Sequence, residues 1–295
     1  SVVKKEPFLL VELKDTIFYP GGGGQPCDTG RIENTYFVGD VIEVFREKGC
    51  IIHKVKIVRG NLRELDIVTM KLNQERRIKF LKMHTGEHIL FKSLSLNLED
   101  VKLSKINLDE NESSLFIEAK DVNWDKLFKA EELANRIIDE NREIIEKEYT
   151  KEDAAKLPNL RIKIERIEED TVRVVEIKDF DLSACTGTHA KSTSYVGNIL
   201  ITKFNQNKGI WEIRFKADAK KELFALAQIA KLSAFELGTD YNGILTSTVK
   251  LKEELEDYKE KFRDLAYKYL DSYDEKKINN FRFISKTVED FEKKQ

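Results

Sequence analysis

Three of the four histidines in this chain lie in two short motifs, His84-Thr85-Gly86-Glu87-His88 and Cys185-Thr186-Gly187-Thr188-His189. That pairing constrains the fold more than any other feature. Three imidazoles and one thiolate are the ligand types Zn²⁺ prefers. The motifs lie far apart, so one ion reaches all four groups only if the fold closes the long stretch between them. His84 and His88 are four residues apart, which puts both rings on one face of a helix. Ile78, Leu81, His84, His88 and Phe91 recur at helical spacing and predict an inward apolar stripe starting near Arg76. Cys185 and His189 follow Thr171 to Ile177, an alternating run that reads as a strand. The small residues and glycine around them predict a loop that acts as a clasp.

A lone histidine pair on an apolar helix face is more often a hydrogen-bonded core feature than a ligand set. A cysteine and a third histidine at the same spacing, in a chain poor in both, tip the balance towards metal. Cys27, Cys50 and His53 have no such arrangement and read as structural residues. The H-E-x-x-H motif of zinc proteases does not fit, because there the glutamate directly follows the first histidine. Glu87 instead precedes the second histidine and is expected off the metal face, as a solvated helix charge.

A second informative segment runs from Phe18-Tyr19-Pro20 through Gly21, Gly22, Gly23 and Gly24 to Gln25-Pro26-Cys27-Asp28-Thr29-Gly30. Four successive glycines tolerate positive φ and expose backbone N–H groups, so such a loop could cradle a phosphate or a carbonyl. It could equally be a plain strand connection. No Lys-Ser/Thr follows it, and it lacks G-x-G-x-x-G spacing, which excludes the P-loop and the dinucleotide fingerprint.

Taken together, the Phe-Tyr-Pro and glycine segment, the H-x-x-x-H pair and the C-x-G-T-H clasp resemble the editing domain of alanyl-tRNA synthetase. The likeness is strongest to the free-standing alanyl-tRNA editing proteins of the AlaX type. It covers roughly residues 5 to 215 and, more weakly, the helical tail. The editing domain of threonyl-tRNA synthetase shares the histidine and cysteine motifs but lacks the glycine segment. The resemblance implies an aminoacyl-ester hydrolase that removes serine, with glycine as a second candidate, from mischarged tRNA(Ala). It implies one zinc ion per chain, held by His84, His88, Cys185 and His189, which are also the expected catalytic centre. It also implies a substrate pocket involving Gly21, Gly22, Gly23, Gly24, Gln25 and Ser104. Synthetase relatives carry Gln-x-Gly-Ser where this chain has Val101-Lys102-Leu103-Ser104. Of those polar groups only Ser104 is retained, which leaves the ranking of serine over glycine open.

Bound zinc lowers the pKa of water to about 7 and polarises an ester carbonyl. Four protein ligands make a closed tetrahedral site, however, and closed sites are usually structural. Either the coordination expands to five or one ligand, such as His189, stands off. Another route has zinc gripping the substrate's amino group while the terminal ribose hydroxyl assists the water.

With 51 Lys+Arg against 53 Asp+Glu the formal charge is −2, so tRNA contact requires a local basic patch. Candidates are Arg76, Arg77, Lys79 and Lys82 around the histidine helix, with Lys102, Lys105 and Lys191 near the pocket. The alternative for each is a solvated surface charge. Three cysteines without a disulfide layout point to a reducing compartment. No apolar stretch is long enough for a membrane, and the N-terminal residues are too charged for a signal peptide. The expected location is cytoplasmic.

The expected fold is α+β in three parts. Residues 1–75 read as a small N-terminal β-barrel bearing the glycine motif. In residues 76–216 helices alternate with strands, including one helix from Trp124 to about Tyr149 and further strands after Pro158; the resemblance implies that this part is a two-layer α+β editing domain with the zinc site. Residues 217–295 read as helix only. There Leu251, Leu255, Tyr258, Phe262, Leu265 and Tyr269 form a heptad seam. The seam suits either a coiled-coil arm that makes a homodimer or a hairpin packed on its own chain. The start at Ser1 and the charged end, Phe291 to Gln295, suggest a piece of a longer protein. A chain that opens directly on the barrel suggests instead an editing protein acting in trans. A third reading is a zinc-stabilised tRNA-binding module without catalysis.

Overall fold

The structure is a computed structural model that describes residues 2–5, 8–161, 170–271 and 274–285. The closing stretch from Phe291 lies outside these. The chain divides into two compact units, Ser1–Lys220 and Lys221–Gln295.

The first unit opens with six strands: β1 (Val2–Lys5), β2 (Phe8–Glu12), β3 (Gly30–Glu33), β4 (Phe37–Glu47), β5 (Cys50–Gly60) and β6 (Thr69–Leu72). They pair antiparallel in the order β1-β2-β5-β4-β3-β6. Leu9, Val11, Phe18, Ile32, Phe37, Val41 and Val55 fill one apolar core. The period-2 alternation of β4 puts Phe37 and Val41 on that side, and a bulge between Val41 and Glu43 resets the register so that Val44 also faces in. The expected closed barrel is therefore corrected to an open sheet. Closure requires the first and last strands to share a ladder. β1 and β6 are four-residue edges with no pairing to each other among the described residues.

Helix α1 (Gln74–Asn97) follows, with Asn73 as N-cap accepting from Arg76 N at 3.2 Å. Then come β7 (Glu99–Asn107), β8 (Ser113–Lys120), α2 (Trp124–Asp139), β9 (Ile144–Thr150), α3 (Lys151–Lys156), β10 (Thr171–Ile177), β11 (Asp181–Ala184), β12 (Ile199–Asn207) and β13 (Ile210–Ala217). The strands form two more antiparallel sheets, β12-β13-β8-β7 and β11-β10-β9. α1 and α2 pack on each other and on the four-stranded sheet, and α1 also meets β11. Leu90, Leu94, Leu115, Ile117, Leu127, Ile213 and Phe215 are fully buried between these layers.

Three further expectations need correction. The helix from Trp124 ends at Asp139; Ile144 to Thr150 is instead β9, whose seven residues all pair with β10. Asn141, at φ 50°, turns the chain out of the helix. Second, Ile78 is half-exposed, because the opening turns of α1 are only partly covered, while Phe80 and Met83 take the buried positions. From Met83 to Phe91 every residue of α1 is buried, so this stretch is wrapped on all sides rather than amphipathic. Third, the tail is not helix alone. The second unit holds α4 (Lys220–Glu236) and α5 (Ile244–Asp271), and then a hairpin of β14 (Asp274–Ile278) and β15 (Phe281–Ser285). A two-residue Asn279-Asn280 turn, with Asn279 at φ 56°, closes this hairpin. The heptad seam lies on α5 and is solvent-exposed from Leu251 to Tyr269. No helix among the described residues is long and apolar enough to cross a membrane.

Candidate metal centre

The long stretch closes. His84 and His88 project from the buried middle of α1, while Cys185 and His189 come from the irregular loop after β11. One ligating atom from each of the four lies within 4.8 Å of every other, a group that could hold a metal ion. Cys185 Sγ is 3.3 Å from both His84 Nε2 and His189 Nε2. Zn–N bonds of about 2.0–2.1 Å and a Zn–S bond of about 2.3 Å at tetrahedral angles separate N and S by about 3.5 Å. The donor set and its spacing therefore fit such an ion.

Gln25 reaches the site from the glycine segment. Its Oε1 lies 2.7 Å from His84 Nδ1 and accepts from Thr188 N at 3.0 Å, and its Nε2 donates to Thr188 Oγ1 at 2.8 Å. An amide oxygen only accepts, so the His84 proton sits on Nδ1 and Nε2 presents its lone pair. On the other histidine, His88 Nδ1 lies 3.2 Å from Asp181 Oδ2 and 3.0 Å from Arg161 Nη2. Asp181 Oδ2 also accepts from Arg161 Nη2 at 3.1 Å. With Nε2 kept for a cation, the Nδ1 proton goes to Asp181, the arrangement common behind metal-bound imidazoles.

The clasp is fixed from two sides. Arg173 Nη1 donates to Cys185 O at 2.8 Å and Gly187 O at 2.7 Å, and Ala190 N donates to Thr85 Oγ1 on α1 at 2.9 Å. Gly187 has no substitute there, since a Cβ would lie 1.9 Å from His84 Cε1. Burial opposes ionisation of Cys185, yet the imidazoles, His84 first, hold its thiol well below the ordinary range. Burial and the neighbouring imidazoles bring His189 down to about 3, so it is neutral at pH 7. Burial also opposes charge on His88, but the Glu87 carboxylate, then Asp181 and Cys185, push it up to about 10. A thiolate and neutral imidazoles are the forms that bind metal, and a cation on His88 Nε2 would displace its extra proton.

The glycine segment is a tight turn as well as a potential cradle. Gly22 and Gln25 exchange two backbone hydrogen bonds of 3.0 Å, and all four glycines have positive φ. Gly24 O accepts from Leu108 N at 3.0 Å, and a Cβ on Gly24 would meet Ile106 O at 2.7 Å. The loop is thus pressed against the end of β7. Tyr19 Oη donates to Gly22 O at 3.0 Å and is pushed up to about 12 by burial and by Cys185.

Other expected site residues are less tightly gathered. Ser104 is exposed at a bulge in β7, and Lys102 and Lys105 beside it are exposed. Arg76 donates twice to Cys27 O, at 3.0 and 3.1 Å, and pairs with Glu110. Arg77 pairs with buried Asp28 and donates to Ile17 O at 2.8 Å. These two guanidinium groups brace the glycine segment. Lys79 pairs with Glu75 at 2.9 Å, Lys82 pairs with Asp218, and Lys191 is exposed beside the clasp. His53 is buried between Thr16 and Val11 O, and Cys27 and Cys50 are free thiols.

Sequence reasoning missed Thr85, Thr188, Asp181, Arg161 and Arg173. Thr85 and Thr188 stand within the two quoted motifs but were given no role, and no local pattern marks the other three; each of the five gains its role from a partner distant in the chain. Glu87 was misread: it is fully buried, not solvated. It lies on the wrapped stretch of α1, which leaves no face of the helix open to water.

Residues 172–214 match the family described as the threonyl and alanyl tRNA synthetase second additional domain, and residues 2–76 match class II (A) tRNA synthetases. Among curated proteins, the chain is 35% identical over 217 residues to alanyl-tRNA editing protein AlaX-L of Pyrococcus horikoshii, covering 73% of this chain and 53% of that one. It is 32% identical over 216 residues to the alanine–tRNA ligase of Methanosarcina barkeri, covering 70% of this chain and 23% of the ligase. It thus spans about half of the first relative and under a quarter of the second. Alanyl-tRNA editing protein AlaX-M of Methanosarcina acetivorans is 33% identical over 211 residues, which cover 68% of this chain and 84% of that protein. Identity at this level over most of the length of AlaX-M shows that the chain belongs to the alanyl-tRNA editing protein family.

Proposed function

We propose that the chain is a zinc-dependent aminoacyl-tRNA deacylase that hydrolyses Ser-tRNA(Ala), with Gly-tRNA(Ala) as a second substrate. The observation that carries this reading is the convergence of His84, His88, Cys185 and His189 on one point. These four residues would hold a single zinc ion, which when bound supplies a Lewis acid for the ester carbonyl and lowers the pKa of water. Gln25 keeps the Nε2 lone pair of His84 aimed at the centre, and Asp181 does the same for His88. Arg173 and Thr85 hold the clasp. In the hydrolysis, the water oxygen bonds to the ester carbonyl carbon, the bond from that carbon to the ribose oxygen breaks, and the tRNA oxygen takes the proton. The glycine turn, Gly21 to Gly24, and Ser104 would border the aminoacyl group, and Lys102 and Lys105 would meet the tRNA phosphates. In this reading the functional segments would be 1–75, 76–216 and 217–295, with a homodimer through the α5 seam and a cytoplasmic setting.

The test is deacylation of Ser-tRNA(Ala) and Gly-tRNA(Ala), with Ala-tRNA(Ala) as control, before and after zinc removal and restoration. Zinc-dependent loss of serine that spares alanine is expected. Cys185→Ala and His88→Ala should each abolish it, and near-wild-type rates in both would sink the metal mechanism. A second reading, a zinc-stabilised tRNA-binding module, is favoured by the four-ligand set, since closed sites are usually structural. It predicts folded, zinc-loaded protein without ester cleavage, and unfolding on zinc removal. Coverage of less than a quarter of a ligase also leaves the same chemistry acting within a longer synthetase.

A further inference from the structure

Beside the four candidate ligands lies a buried carboxylate that makes no hydrogen bond. Glu87 is fully buried, and neither Oε1 nor Oε2 has a hydrogen-bond partner. Oε2 lies 3.7 Å from His88 Nε2, the nitrogen that faces the centre, and Oε1 lies 3.7 Å from Arg161 Nη1. A buried charge without hydrogen bonds is costly and needs a compensating charge. Arg161 does not supply all of it, because Asp181 holds that guanidinium at 3.1 Å and balances its charge.

Without a metal, the His88 ring at 3.7 Å faces the rest of that charge; a cation on the same nitrogen would take its place. A dication on one thiolate and three neutral imidazoles leaves one positive charge in a dry site. Asp181 and Arg161 cancel each other, and Glu87 supplies the one negative charge still missing. We infer that Glu87 is the counter-charge of the metal centre, a positioning residue that raises affinity for dications through space rather than through a bond. The inference rests on the metal-centre reading above. Attraction to a fixed charge scales with the charge on the ion. Glu87 therefore selects by valence, unlike Gln25 and Asp181, which act on ligand orientation.

The test measures affinity of the full chain for Zn²⁺ and for Cu⁺, by competition with chromophoric chelators, in the wild type and in Glu87→Gln. Removing a group just outside the ligands typically costs about 10–100-fold in affinity. That loss is expected for Zn²⁺, with only its square root, about 3–10-fold, for Cu⁺. Glu87→Asp, which keeps the charge, should recover most of the Zn²⁺ affinity. Glu87→Met is a second neutral variant of similar length, and the same split is expected should Glu87→Gln fold poorly. A merely structural role would weaken both ions equally, and equal losses, or none, overturn the inference. Wild-type protein that binds neither ion would overturn the metal-centre reading and this inference with it; binding without a valence split overturns this inference alone.

Discussion

Gln25 shows how one side chain can tie two layers of a protein to one site. It is 2% exposed, and its amide is occupied by His84 and Thr188. Gln25→Ala should therefore weaken zinc binding by about 10–100-fold while leaving secondary structure intact, as chelator competition and circular dichroism would report. Gly187→Ala should be more severe. The added Cβ collides with the His84 ring rather than with a flexible tip, so metal stoichiometry should fall well below one per chain without global unfolding. The clustering of His84, His88, Cys185 and His189 was legible because histidine and cysteine are scarce here and their chemistry is specific. Glu87 was not, because periodicity describes one helix and says nothing of how many neighbours surround it. The same limit hid Arg161 and Asp181, which meet His88 only in the folded chain.

Among the elements, α1 and α2 are each started by an asparagine cap, and Asn123 Oδ1 accepts from Lys126 N at 3.1 Å. Asn123→Ala should lower the unfolding free energy by about 1 kcal/mol, read by denaturant titration, with zinc affinity unchanged. The start of α2 at Trp124 was legible, but its end was not. Ile144 and Ile145 continue the helical period of Ile137 and Ile138, and the break between them holds neither glycine nor proline. The left-handed Asn141 is the one local sign of the turn, and the β10 ladder outweighs propensity beyond it. The barrel expectation failed for a related reason: alternation predicts strands, whereas closure depends on pairing between edges.

For the molecule as a whole, the candidate centre and all its supports lie in the unit Ser1–Lys220. A chain ending at Lys220 should keep one zinc per chain and its deacylation rate. If the exposed α5 seam joins two copies, the full chain should sediment with a concentration-dependent mass that the shortened chain loses. The α+β class and the change of character near residue 217 were legible from the spacing of apolar residues. The β14–β15 hairpin was not, being marked only by an Asn-Asn turn.

The wrapping of α1 also has a cost during synthesis. β7, β8, α2, β11 and β13, which cover its middle, all come later in the chain. Cys185 trails His84 by 101 positions. At about 5–20 residues per second, the helix leaves the ribosome roughly 5–20 s before its thiolate partner. For that interval β7, β8 and α2 can cover Leu90, Phe91 and Leu94 only in part, because β11 and β13 are still to come. The long stretch that makes the centre is thus also a window of vulnerability, when a holdase has the most to protect.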